Sequence, residues 1–77
     1  MNTIQSQWEA FCVLCMPKDA PQIQMQEMKR AFYAGAEGMI RLLHTTGEAS
    51  EDGGVMMIEG WHEECRQFAL QVVRGKA

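Results

Sequence analysis

Long apolar runs are missing from this 77-residue sequence: nothing approaches the roughly 18 to 20 consecutive apolar residues that a membrane span needs, so a soluble chain is expected. An export signal is missing too, since Met1 runs straight into the polar stretch Asn2 to Gln7 with no basic segment or apolar core, and a cytoplasmic location is expected. Cations are scarce. Seven Lys and Arg stand against ten Asp and Glu, for a net charge of -3. That balance argues against a general nucleic-acid binder, whose affinity rests on cationic side chains neutralising phosphates. Ten acidic residues are also too few to imitate a nucleic-acid backbone. Cysteine comes to three, Cys12, Cys15 and Cys65, an odd number that suits a reducing compartment better than a disulfide framework.

Catalytic arrangements are equally thin. His62 beside Glu63 is a poor acid-base pair, because neighbours on a helix point in different directions. His44 falls near a helix end, where it suits terminal carbonyls and the helix dipole. Ser6 and Ser50 sit among polar residues, and no glycine-rich phosphate loop follows a strand. The expectation is a protein that is not an enzyme and carries no cofactor.

What is present is helical periodicity. Ile4, Trp8, Phe11 and Cys15 recur at spacings of four, three and four, which predicts a first helix over 4–16, with Thr3 as its N-cap and Pro17 as its stop. Asp19, Pro21 and Gln22 read as a cap, an early-turn proline and a capping-box partner, opening a second helix over 20–44. Met25, Met28, Phe32, Gly35, Met39 and Leu42 form its stripe, and Ile40 and Leu43 widen it. Gly35 and Gly38, among Ala31, Ala34 and Ala36, make a narrow surface that another helix could approach closely. Residues 45–54 show no apolar period and predict a mobile loop. A third helix follows over 55–74, with Ile58, Trp61, Cys65, Phe68 and Val72 as its stripe and Gly75 ending it. The predicted architecture is all-α, one domain over 1–77: a long antiparallel helical hairpin with a shorter N-terminal helix packed across it.

The first helix is too short to cover that hairpin, so Met39, Ile40, Leu43, Val55, Met56 and Met57 are expected to form a binding interface, with a homo-oligomer as its simplest use. Lys29, Arg30 and Tyr33 are a candidate anion or nucleotide site, with cations for phosphate and a ring to stack on a base. Cys12-x-x-Cys15 with His62-x-x-Cys65 offers four ligands of the right type for zinc, but Cys15 and Cys65 already belong to apolar stripes. Core packing accounts for them more simply, and no metal is expected. Glu59, Glu63 and Glu64 read as a solvated face that could also meet Lys29 and Arg30.

The segment from Gln24 to Ala36 (Gln-Met-Gln-Glu-Met-Lys-Arg-Ala-Phe-Tyr-Ala-Gly-Ala), preceded by Gln7-Trp8-Glu9-Ala10-Phe11, resembles small uncharacterised helical proteins encoded by tailed phages and prophages. The likeness extends more loosely to the stretch from His62 to Phe68. The resemblance implies an accessory protein acting stoichiometrically in a bacterial cytoplasm, one that binds and inhibits a host protein or defence complex. A nucleotide-sequestering module and a zinc-stabilised structural protein are the alternatives.

Overall fold

A computed structural model describes residues 2–77 of the chain. Its described residues form three α-helices, α1 (Ile4–Cys15), α2 (Gln22–Thr45) and α3 (Glu51–Val73), with one 3-10 turn at Thr46–Glu48, and no strand. The fold is all-α. The chain divides into two compact units, Met1–Ile40 and Arg41–Ala77.

In the first unit, Thr3 caps α1 with a reciprocal box. Its hydroxyl accepts from the Ser6 backbone N–H at 2.9 Å, and the Ser6 hydroxyl accepts from the Thr3 N–H at 2.9 Å. The helix stops at Cys15 because Met16, which precedes Pro17, is held extended at φ -92 and ψ 138 by clash with the proline ring. The start of α2 falls later than the sequence suggested. Asp19 is outside it; the Pro21 carbonyl accepts from the Met25 N–H at 3.0 Å, so Pro21 occupies the place before the first turn. At 24 residues α2 is about 36 Å long.

The core of this unit is aromatic. Trp8, 5% exposed, is the one buried apolar side chain among the described residues. Phe11 stacks on it at 5.7 Å between ring centroids, and Phe32 of α2 meets Phe11 at 5.6 Å. The three rings anchor α1 against the first half of α2. Apolar side chains elsewhere on these helices, such as Val13, Leu14 and Ile23, are largely exposed. In the small-residue stretch, a Cβ added at Gly35 or Gly38 would meet nothing within 4 Å among the described residues.

In the second unit the expected loop over 45–54 is mostly helical. α2 continues to Thr45, the 3-10 turn follows, and α3 begins at Glu51, four residues ahead of Val55. The missing apolar period concealed a good helix start. The Ser50 hydroxyl accepts from the Gly53 N–H at 3.0 Å, and Glu51 and Asp52 place negative charge in the first turn, where the dipole favours it. Gly54 is buried against the 3-10 turn, where an added Cβ would lie 3.5 Å from the Thr46 Cβ. At the far end Gly75 has a φ of +72; its N–H donates to the Val72 carbonyl at 3.1 Å, and the Lys76 N–H donates to Gln71 at 2.9 Å. These paired bonds close α3 through a left-handed residue, which glycine adopts at no steric cost.

Candidate functional site

Residues 26, 29, 30 and 33 share one face of a helix, because 26 lies three and four positions before 29 and 30, and 33 lies four and three positions after them. On α2 that face holds an open hollow of about 450 Å³, lined by Gln26, Lys29, Arg30 and Tyr33. The three residues expected to receive an anion or nucleotide are thus brought together. Gln26 is the addition. Its position one turn before Lys29 and Arg30 was visible in the sequence, but a neutral amide carries no charge or ring to draw notice.

Two further contacts fix the geometry. The Tyr33 hydroxyl donates to the Gln5 side-chain oxygen of α1 at 2.8 Å, which ties the phenol to the neighbouring helix. Tyr33 also meets Phe32 edge-on at 6.4 Å, so its ring is continuous with the aromatic core. The Lys29 ammonium lies 5.8 Å from the Tyr33 ring centroid, within cation-π range. Arg30 pairs with Glu27 one turn back at 3.5 Å, both side chains well exposed. An ion pair so open to water is worth little, and the guanidinium can exchange Glu27 for another anion at small cost. The hollow therefore presents a half-buried ring, two cations and an amide. Such a set can hold a planar base and a phosphate at once.

A second cleft of about 420 Å³ lies where α1 ends, walled by Cys12, Met16, Pro17 and Met25, with Lys18 as its one charged lining residue. Sequence periodicity gave no sign of it, since it forms at the proline break rather than on a helix face.

The expected interface residues fall in different units: Met39 and Ile40 in the first, Leu43, Val55, Met56 and Met57 in the second. Met39, Ile40, Leu43, Val55 and Met56 are 41%, 42%, 44%, 52% and 71% exposed, while Met57 is half-buried. The four zinc-type ligands are divided likewise, Cys12 and Cys15 on α1, His62 and Cys65 on α3. No group of three or more His, Cys, Asp or Glu poised to hold a metal occurs among the described residues. All three cysteines are free thiols.

Of the acidic face on α3, Glu63 is engaged within its own helix. Arg66 donates to it through two nitrogens, at 2.9 and 3.1 Å. The hydrogen bond from Arg66 holds the Glu63 carboxyl below its ordinary range, and the guanidinium's charge adds to the effect. The same bond raises Arg66. Among the described residues no helix is long and apolar enough to cross a membrane. No known protein family, curated protein or solved structure matches this chain.

Proposed function

We propose that this chain is a nucleotide-binding module that sequesters its ligand without transforming it. The observation that carries the reading is the convergence of Gln26, Lys29, Arg30 and Tyr33 around one open hollow. The Tyr33 ring offers a stacking surface, Lys29 and Arg30 supply charge-assisted bonds to phosphate, and the Gln26 amide can donate to and accept from a base edge. The lining carries no carboxylate, imidazole or thiol to act as base or nucleophile, which favours retention over reaction.

The test is thermal shift against a panel of linear and cyclic nucleotides, with inorganic phosphate and unphosphorylated nucleosides as controls. Ligand at about 100 times its dissociation constant stabilises by about 2.7 kcal/mol. Stabilisation by a nucleotide beyond that given by phosphate or nucleoside alone supports the reading. A flat response across the panel overturns it.

A second reading is an accessory protein of phage type that binds and inhibits a host protein. It is favoured by the exposure of Leu43, Val55 and Met56 in the second unit, apolar side chains that a partner would cover. Affinity capture from bacterial lysate at near-native expression tests it: specific recovery of one host protein, lost on Met56→Asp, is the expected result, and an empty capture counts against it.

A further inference from the structure

The cleft where α1 ends gathers residues of one chemical kind. Cys12, Met16 and Met25 all line it, and all three are half-buried. Local bonds put them there. The Met16 N–H donates to the Cys12 carbonyl at 3.2 Å, which keeps Met16 one turn on from Cys12. The Ala20 N–H donates to the Pro17 carbonyl at 3.2 Å, closing the turn that leads into α2, whose first turn supplies Met25 to the same cleft. The rest of the wall is apolar apart from Lys18, and among the described residues it holds no carboxylate and no imidazole. Cys15, three positions on from Cys12, is exposed and outside it. The cleft is built entirely from the first unit.

We propose that this cleft is a site for a soft monovalent metal ion, copper(I), held by the Cys12 thiolate and the Met16 and Met25 thioethers. The donors select the ion. Thiolate and thioether sulfur suit Cu(I), whereas calcium and magnesium need oxygen ligands. Zinc is held by thiolates, imidazoles and carboxylates, four to a structural site, and this wall offers only the one thiol. Charge points the same way. One thiolate neutralises one monovalent cation, and a neutral centre suits an apolar wall. A divalent ion would keep a net positive charge there beside Lys18, and a charge left uncompensated against apolar surroundings is costly. Methionine adds reach, since its three rotatable bonds let the thioether close on an ion. On binding, the Cys12 thiol gives its proton to solvent as the copper–sulfur bond forms; the metal stays Cu(I) and no electron moves. The site is independent of the nucleotide reading, because none of its three ligands lines the hollow on α2.

The experiment uses the full chain with Cys15→Ser and Cys65→Ser, leaving Cys12 as the sole thiol. Cu(I) is added without oxygen and titrated against bicinchoninate, whose coloured copper complex reports what the protein withdraws. The expected result is one Cu(I) per chain, with Met16→Leu and Met25→Leu each weakening its binding at least about tenfold through loss of a soft ligand. Leucine keeps volume and apolarity, so both variants should hold the fold, and far-UV circular dichroism checks that they do. X-ray absorption at the copper edge should show three sulfur neighbours. Affinity unchanged in both methionine variants overturns the site, since a bare thiol would then bind equally well. So does a lack of uptake by the chain that keeps only Cys12; if the unaltered chain still takes up copper, the metal sits on thiols as a pair and not in the cleft.

Discussion

The indole of Trp8 meets the ring of Phe32 edge-on, with centroids 5.5 Å apart and planes inclined at 61°. This contact joins α1 to α2 across a short connection, and it does so at the one position among the described residues where an apolar side chain is buried. An edge-to-face pair contributes about 0.5–1.5 kcal/mol beyond the area it buries. The N-terminal unit therefore has a single point of failure.

Replacing Trp8 with Ala should cost about 3–5 kcal/mol, because the cavity it leaves has no other core to collapse into. Urea denaturation followed by far-UV circular dichroism checks this. Trp8→Phe should retain much of the stability, since Phe11 and Phe32 can still pack on a smaller ring. Equal losses from both variants would show that the indole's size, rather than its aromatic contacts, carries the unit.

At the hollow, Tyr33→Phe removes only the hydroxyl that donates to Gln5 and should leave nucleotide affinity within about threefold, since exposed neutral hydrogen bonds contribute little. Tyr33→Ala should weaken binding roughly 5- to 150-fold, the equivalent of losing about 1–3 kcal/mol of base stacking. Lys29→Ala should weaken binding and flatten its dependence on salt, because an exposed cation-phosphate contact is screened by added ions. Calorimetric titration at two ionic strengths separates the two effects.

Gly35→Ala and Gly38→Ala should each stabilise the chain by about 1 kcal/mol. Neither added methyl meets a neighbour within 4 Å, and alanine is the better helix former. A melting temperature that falls instead would mean that another molecule lies against this face in solution.

Glu63 should titrate below the ordinary glutamate range in side-chain carbonyl NMR, and Arg66→Ala should return it towards that range. The sign follows from the direction of the shift. A carboxyl whose pKa is lowered by folding stabilises the fold at pH values above its unfolded pKa, and that contribution disappears as pH falls through the folded value. Above the carboxylate range the pair should show no pH dependence at all.

How far the sequence foretold this molecule depends on which physical signal marked each feature. Thr3 and Pro17 bounded α1 because caps and prolines act locally, through their own hydrogen-bonding and ring geometry. Gly75 ended α3 for the same reason. Asp19 misled because its capping chemistry is shared with ordinary turns, and the Ala20 N–H bonding to Pro17 at 3.2 Å shows that a turn is what forms there. The start of α3 was hidden because Gly53 and Gly54 read as loop residues, although Ser50, Glu51 and Asp52 had already supplied a cap and a favourable first turn. Lys29, Arg30 and Tyr33 were legible as a cluster from spacing alone, whereas Gln26 and the bond from Tyr33 to Gln5 depend on shape and on a neighbouring helix. The open space at Gly35 and Gly38 could not be read from composition, because small residues announce room without saying what fills it.

The adjacent glycines at the start of α3 face different kinds of scrutiny. A methyl at Gly54 would come to ordinary contact with Thr46, whereas one at Gly53 would press to 3.0 Å on the Ser50 hydroxyl oxygen that caps the helix. A saturation library across both positions should therefore sort itself unevenly. At position 54 alanine should survive while bulkier residues are rejected by lack of room. At position 53 the tolerance of each variant should track that of Ser50 variants, because both would be judged through the same cap.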